Sequence, residues 1–252
     1  MGERKRMRNQ LRIRTLAPNI VTVLALSAGL TSIRFSVSGN WEMAVFAILV
    51  AGVFDGIDGS IARMLKAASK FGAELDSLSD MISFGVAPAI LLYLWSLQEL
   101  GGLGWVIALI FAIGCALRLA RFNSKLEVDD EPRRKAGFLT GLAAPAGAGI
   151  ALIPLMLEFE LQNGFFRSPD LVAATTTLVA LGMVSRIATF SFKQLLIRRD
   201  QMVPTLLLVA LFAALLTTYG WMLLIGCGIL YMATIPISMH GFAKREKERR
   251  LR

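Results

Sequence analysis

The sequence is poor in the residues that build most redox, zinc and nucleophilic sites. Its 252 residues include one histidine, two cysteines and three tyrosines. Cys115 and Cys227 lie far apart and have no Cys or His neighbour at metal-ligand spacing, which excludes a disulfide framework and a Cys/His zinc site. Charged residues make up 18% of the chain, against about a quarter in an ordinary soluble domain. The composition therefore disfavours a soluble globular protein.

Long apolar runs are what the sequence has instead. Hydrophobic residues make up 55% of the chain, and the mean hydropathy is +0.61. A transmembrane helix needs about 20 predominantly apolar residues. We predict an all-α integral membrane protein with about eight transmembrane helices. The predicted spans are 16–33, 41–54, 81–98, 103–117, 138–157, 171–184, 203–219 and 221–239.

The positive charge is distributed unevenly between the segments that connect these spans. If both termini are cytoplasmic, 25 of the 27 Lys and Arg residues fall on the cytoplasmic side, and Arg34 and Arg167 fall near the outer side. The positive-inside rule then predicts a multi-pass protein of the cytoplasmic (inner) membrane with both termini inside. We attribute the net charge of +9 to this topology and to attraction towards anionic membrane lipid, not to nucleic acid. Residues 1–14 are predicted to form a basic interfacial segment, and residues 241–252 a basic cytoplasmic tail.

Two predicted helices carry an unusual density of acidic residues. One helix is expected to run from about Trp41 to Lys66, and the next from about Phe71 to Leu97. The linker between them is short, so the helices are antiparallel neighbours. Their cytoplasmic ends therefore lie side by side.

Four aspartates lie at these helix ends. Asp55 and Asp58 are spaced i,i+3, whereas Asp76 and Asp80 are spaced i,i+4, so each pair shares one helix face. Acidic residues inside a membrane are costly and indicate function, and Arg63 alone cannot neutralise four of them. Oxygen-only ligands favour Mg²⁺ or Mn²⁺, and two such ions can clamp a pyrophosphate. One carboxylate would remain to take a proton from a hydroxyl group.

Two glycines and an arginine accompany the acids. Glycine destabilises a helix interior, so Gly59 and Gly72 indicate close approach of a ligand or of a neighbouring backbone. Arg63 is one turn beyond Gly59 and can contact a phosphate. The alternative is that Arg63 only neutralises an aspartate and extends towards the membrane surface.

The pattern resembles the signature of the CDP-alcohol phosphatidyltransferase family, D-x-x-D-G-x-x-A-R, eight residues, then G-x-x-x-D-x-x-x-D. All eight fixed positions are present, namely Asp55, Asp58, Gly59, Ala62, Arg63, Gly72, Asp76 and Asp80. Members of that family transfer a phosphatidyl group from a CDP-linked lipid to a small alcohol and release CMP. The resemblance implies a six-helix catalytic core, here residues 15–200, followed by a transmembrane helix pair in residues 201–240.

The same resemblance implies roles for individual residues. All four aspartates would hold the metal ions, which we expect to be two in number, and Asp80 would also be the general base. The CDP-lipid would be bound by Asn19, Gly59, Arg63, Ser69 and Gly72. A homodimer is also implied, and the small residues at 141–151 suit close helix packing within or between chains.

Three further stretches are similar to the phosphatidylserine synthase branch of the family. They are Pro18-Asn19 with Thr22 and Gly29, SFGVAPA at 83–89, and ALRLARFN at 116–123. Residues 138–146 are also similar, although Ala143 and Ala25 replace a frequent proline and a frequent asparagine. This resemblance implies CDP-diacylglycerol and L-serine as substrates.

The residues near the end of the fourth predicted helix agree with an acidic acceptor. Arg118 and Arg121 are spaced i,i+3 beside Asn123, and together they can bind the serine carboxylate. An acceptor phosphate, as in glycerol 3-phosphate or inositol phosphate, would use the same arginines. The alternative reading is that both arginines are positive-inside anchors.

Two other functions use similar residues. A magnesium-dependent membrane prenyltransferase would carry its two acidic motifs on distant helices, whereas here the pairs lie on consecutive ones. A divalent-cation transporter would place its carboxylates deeper in the bilayer. Both functions fit the sequence less well than phosphatidyl transfer.

Overall fold

Helices account for nearly all of the described chain, because a backbone in lipid must satisfy its hydrogen bonds within each segment. The computed structural model describes residues 2–65, 69–124, 138–185, 188–190, 215 and 218–234. The α-helices are α1 (Gly2–Val37), α2 (Trp41–Leu65), α3 (Lys70–Asp80), α4 (Ala87–Trp95), α5 (Gly102–Asn123), α6 (Ala144–Ala151), α7 (Ile153–Leu161), α8 (Pro169–Val184) and α9 (Gly220–Thr234). A π-helical turn, Met81–Val86, joins α3 to α4, and a 3₁₀ turn, Leu97–Leu100, precedes α5. Two short strands, β1 (Phe138–Thr140) and β2 (Ala188–Phe190), pair antiparallel with Leu139 opposite Thr189.

The structure supports the predicted all-α membrane class but not the count of eight spans. Five helical segments among the described residues are long and apolar enough to cross a membrane. They are Leu16–Val37, Trp41–Leu65, Lys70–Trp95, Gly102–Asn123 and Ala144–Leu161. The predicted spans 171–184 and 221–239 correspond to the shorter apolar helices α8 and α9. Most of the predicted span 203–219 lies outside the described residues, as do residues 241–252.

Helix α1 packs against α2, α3 and the π-helical turn through small polar residues. The hydroxyl groups of Ser79 and Ser83 donate hydrogen bonds to the backbone carbonyls of Thr22 and Ala25, each at 3.3 Å. Gly29 lies directly against Ser83, with no space for a Cβ atom between them. Small residues allow helix backbones in a membrane to approach closely. This contact brings the middle of α1 next to the carboxylates on α2 and α3.

The π-helical turn begins immediately after Asp80. The backbone N–H of Ala87 donates to the carbonyl of Ile82, five residues earlier. Pro88 has no N–H to offer the carbonyl four residues before it, which favours a wider turn at this point. Such turns shift the angular position of the residues that follow. Asp80 therefore ends a regular helix, and the wider turn that follows packs against α5 and α1.

Helix α5 packs on this wide turn and on α8. Gly85 lies against Cys115 of α5, where a Cβ atom would be 3.1 Å from the Cys115 Cβ. On another face of α5, Gly114 lies against α8. A Cβ atom on Gly114 would be 3.2 Å from the carbonyl oxygen of Ala180. These contacts hold the C-terminal half of α5, which carries Arg118, between α8 and the turn that follows Asp80.

Candidate active site

Three of the four predicted metal ligands converge on one point. Asp55 on α2 and Asp76 and Asp80 on α3 each offer a carboxylate oxygen, and these oxygens all lie within 4.8 Å of one another. The i,i+4 spacing places the two α3 carboxylates on one face, and the neighbouring α2 adds the third. We call these three residues the aspartate cluster. All three side chains are half-buried.

The donor chemistry of the aspartate cluster fits a hard divalent cation. The cluster consists of carboxylate oxygens, which suit Mg²⁺ or Mn²⁺ better than zinc. Ligands around Mg²⁺ lie at about 2.1 Å from the ion, so neighbouring oxygens are about 3 to 4 Å apart. The observed separations need only small side-chain rotations to reach that range.

Asp58, the fourth predicted ligand, lies outside the aspartate cluster. Its side chain is 4% exposed, and its Oδ2 accepts a hydrogen bond from the Thr22 hydroxyl at 2.6 Å. Asp58 thus faces α1, and its role as a metal ligand stays a prediction.

A cavity of about 150 Å³ opens beside the aspartate cluster, between α1, α2 and the start of α3. It has room for a few water molecules and therefore for part of a ligand, since a water occupies about 30 Å³. Asp76 belongs to both the cavity wall and the cluster. The cavity is lined by Pro18, Asn19, Thr22, Asp58, Gly59, Ala62, Ser69, Gly72, Ala73 and Asp76.

Four of the five predicted CDP-lipid residues line this cavity. They are Asn19, Gly59, Ser69 and Gly72. The fifth, Arg63, is exposed on α2 and donates from Nη2 to the Ser60 hydroxyl at 3.3 Å. The structure therefore gathers the predicted nucleotide residues except for the arginine.

The start of α3 explains why residue 72 is glycine. Ser69 is the N-cap of α3, and its hydroxyl accepts a hydrogen bond from the Gly72 N–H at 3.0 Å. A Cβ atom on residue 72 would lie 2.9 Å from Asn19 Oδ1 and 3.0 Å from Ser69 Oγ. By contrast, a Cβ on Gly59 would meet no atom of the described chain within 4 Å. Gly72 serves the packing of the cavity wall, whereas Gly59 leaves space in the cavity.

The predicted acceptor residues at the end of α5 fall in two places. The charge of Arg118 interacts with that of Asp80, which places Arg118 beside the aspartate cluster. Asn123 donates from Nδ2 to the Ser77 hydroxyl on α3 at 2.7 Å. Arg121 donates from Nη1 to the carbonyl of Val184, at the end of α8, at 2.9 Å. Asn123 thus contacts α3, Arg118 lies near the charge of Asp80, and Arg121 ties α5 to α8.

Sequence reasoning did not identify the contact between Thr22 and Asp58. The two residues are 36 positions apart, and Thr22 lies in a mostly apolar span. The available signals were the place of Thr22 in a stretch similar to the phosphatidylserine synthase branch and its hydroxyl one turn after Pro18, but such a hydroxyl commonly bonds its own helix backbone. Likewise, no spacing rule relates Ser77 to Asn123.

Comparison with known proteins assigns the chain to a family. A family model described as CDP-alcohol phosphatidyltransferase matches residues 15–185, and a second, described as CDP-alcohol phosphatidyltransferase 2, matches residues 202–236. The chain belongs to the CDP-alcohol phosphatidyltransferase family. Residues of the family signature form the aspartate cluster and part of the cavity wall.

Phosphatidyltransferases from several bacteria resemble the chain over most of its length. A protein of Mycobacterium leprae is 34% identical over 240 residues, which cover 95% of this chain and 79% of that protein. A protein of Mycobacterium bovis is 33% identical over 224 residues, covering 89% and 78%. A protein of Helicobacter pylori strain 26695 is 32% identical over 179 residues, covering 71% and 73%. All three are named CDP-diacylglycerol–serine O-phosphatidyltransferase.

Membership of this phosphatidyltransferase family makes the chain a transferase and argues against the two other functions considered for the sequence. The family is generally dependent on divalent metal, in agreement with the acidic cluster. A prenyltransferase or a cation transporter would not be expected to match a phosphatidyltransferase model over residues 15–185.

Proposed function

We propose that this protein transfers the phosphatidyl group of CDP-diacylglycerol to L-serine, giving phosphatidylserine and CMP. The observation that carries the choice of acceptor is the similarity to serine transferases over as much as 95% of the chain. The aspartate cluster and the adjoining cavity support the reaction type. Together they provide oxygen ligands for a cation next to a pocket lined by polar groups.

The metal ions we propose are Mg²⁺ or Mn²⁺, two in number. Asp55, Asp76 and Asp80 would hold them, with Asp58 as a further ligand. When bound, the ions would neutralise charge on the pyrophosphate and stabilise CMP as the leaving group. Their oxygen-only ligand set is what supports this proposal.

The cavity would bind the CDP part of the lipid substrate. Asn19 and Ser69 offer an amide and a hydroxyl at its wall, and Gly59 allows a ligand to approach the backbone of α2 closely. Arg63 would reach a phosphate from the exposed face of α2. These residues would hold the phosphorus atom in line with the incoming acceptor.

Asp80 would act as the general base. Its carboxylate takes the proton from the serine hydroxyl as the serine oxygen attacks the phosphorus that carries the diacylglycerol. The bond between this phosphorus and the CMP oxygen breaks, and CMP leaves with the electron pair. This role is supported by the position of Asp80, which belongs to the aspartate cluster and lies near the proposed acceptor residue Arg118.

Arg118 would bind the carboxylate of serine, because a guanidinium matches a carboxylate in charge and geometry. Asn123, which is held beside Ser77 on α3, would also bind the acceptor. Arg121 would contribute with the N–H groups that remain after its bond to Val184. Glycerol 3-phosphate and inositol phosphate are the alternative acceptors for the same three residues.

The orientation we propose has the active site and both termini on the cytoplasmic side of the inner membrane, where anionic lipid attracts the basic segments. We also propose a homodimer. Of the small residues proposed for helix packing, Gly147 contacts Met183 of the same chain, whereas a Cβ atom on Gly149 would meet none of the described residues within 4 Å.

The decisive experiment measures CMP release by the purified protein with CDP-diacylglycerol and Mg²⁺ or Mn²⁺. Serine, glycerol 3-phosphate and inositol phosphate are supplied separately. We expect turnover with serine. Robust turnover with another acceptor and none with serine would refute the serine assignment while leaving the family intact.

A further inference from the structure

Thr22 on α1 contacts the buried carboxylate of Asp58 although it is not part of the family signature. The Thr22 Oγ1 lies 2.6 Å from Asp58 Oδ2, and each residue is 4% exposed. Asp58 is the signature aspartate that lies apart from the aspartate cluster, on the wall of the cavity. The contact therefore joins α1 to the one acidic residue that faces the nucleotide cavity from α2.

The Thr22 hydroxyl has two acceptors within reach and a single proton to donate. Besides Asp58 Oδ2 at 2.6 Å, the backbone carbonyl of Pro18 lies at 3.1 Å. Hydrogen bonds to a charged acceptor are shorter and about twice as strong as those between neutral groups. The proton is therefore directed to Asp58, and the carboxylate gains a donor where water has little access.

The backbone of Thr22 is also held in place from α3. Its carbonyl accepts a hydrogen bond from the hydroxyl of Ser79, the residue immediately before Asp80. Asn19 and Thr22 line the cavity from the same face of α1, one turn apart. Thr22 is thus fixed relative to both helices that carry the signature aspartates.

We propose that Thr22 is a positioning residue that fixes the Asp58 carboxylate for metal binding beside the nucleotide, an inference that rests on the proposed function. A buried carboxylate without its donor turns towards another one, because leaving it unsatisfied is costly. Outer partners that orient a metal ligand typically contribute about 10- to 100-fold in metal affinity or activity. We expect the loss of the Thr22 hydroxyl to weaken metal binding through Asp58 to this extent.

The test compares three variants of the purified full-length protein. Thr22→Val removes the hydroxyl and keeps the shape, whereas Thr22→Ser keeps the hydroxyl. Thr31→Val is the matched control, because the Thr31 hydroxyl on the same helix bonds the Ser27 carbonyl of its own helix. Thr22→Ala replaces the valine variant if that variant does not yield folded protein.

Binding of Mn²⁺ alone is followed by the electron paramagnetic resonance signal of the free ion. The binding event that concerns Asp58 is defined as the one lost in Asp58→Asn. We expect Thr22→Val to weaken that event about tenfold or more. Thr22→Ser and Thr31→Val should leave it unchanged. The KM for serine should be the same in these three variants as in the unsubstituted protein.

A double variant distinguishes positioning from a separate role. If Thr22 acts through Asp58, Thr22→Val combined with Asp58→Asn binds Mn²⁺ no more weakly than Asp58→Asn alone. An additive loss, an unchanged affinity in Thr22→Val, or no loss in Asp58→Asn would each overturn the inference. Because Mn²⁺ binding needs neither substrate, this result is independent of the acceptor assay that tests the proposed function.

Discussion

Replacing Gly72 with alanine should weaken binding of the lipid nucleotide while leaving the fold intact. The new Cβ atom would lie 2.9 Å from Asn19 Oδ1 and 3.0 Å from Ser69 Oγ, so both side-chain ends must move by a few tenths of an ångström. Alanine in a helix is favoured over glycine by about 1 kcal/mol. Weakening the Ser69 cap costs about 1 kcal/mol. The two effects on stability nearly cancel.

The effect on binding does not cancel, because both displaced groups line the cavity. A hydrogen bond to a charged group contributes about 1.5 to 3 kcal/mol. The expected rise in the KM for CDP-diacylglycerol is therefore about 10- to 100-fold, at about 1.4 kcal/mol per factor of ten. The KM for serine should not change, since the proposed acceptor residues lie on α5.

The assay for Gly72→Ala is CMP release as a function of CDP-diacylglycerol in mixed micelles, with thermal unfolding measured in the same detergent. Gly226→Ala is the matched control, since a Cβ on this exposed glycine of α9 meets no atom within 4 Å among the described residues. A KM in Gly72→Ala equal to that of the control, with an equal unfolding temperature, would refute the assignment of the cavity to the nucleotide.

Three further outcomes test the metal site and the helix packing. Asp80→Asn should lower kcat about 100- to 10,000-fold while some Mn²⁺ binding is retained by calorimetry, because an amide cannot accept the serine proton; unchanged activity would remove Asp80 as the base. Removing divalent metal with EDTA should abolish CMP release, and Mg²⁺ or Mn²⁺ should restore it, whereas full activity in EDTA would contradict a metal role for the aspartate cluster. Gly29→Ala should destabilise the protein by about 1 to 3 kcal/mol in thermal or denaturant unfolding, because its Cβ overlaps Ser83 across the contact between α1 and the π-helical turn. Stability equal to that of Gly226→Ala would show that this contact adjusts freely.

The positions of the two helices that carry the site followed from the sequence. The predicted helix from Trp41 to Lys66 matches α2, and the predicted helix from Phe71 to Leu97 matches the segment Lys70–Trp95. Apolar periodicity and chain length determine such features locally. The wide turn after Asp80 did not follow, because a π-helical turn depends on packing against α1 and α5 as well as on a proline.

The division of the four aspartates illustrates the same limit at the site itself. Spacing alone places Asp55 and Asp58 on one face of α2 as equivalent ligands. In the structure they differ, since Asp55 joins the aspartate cluster whereas Asp58 accepts a hydrogen bond from Thr22. The difference arises from α1, whose approach to α2 and α3 depends on Gly29 and other small residues that no acidic motif contains.

The contacts of α1 also distinguish two functions of the signature residues, namely metal binding and nucleotide binding. The aspartate cluster is formed by α2 and α3 alone, so three of the four proposed cation ligands can assemble without α1, whereas Asp58 depends on its contact with Thr22. The nucleotide cavity needs α1, because Asn19 and Thr22 form one of its walls. A change that loosens α1, such as Gly29→Ala, should therefore raise the KM for CDP-diacylglycerol more than it weakens the Mn²⁺ binding that remains in Asp58→Asn. Equal losses in both would mean that α1 supports the aspartate cluster as directly as it supports the cavity.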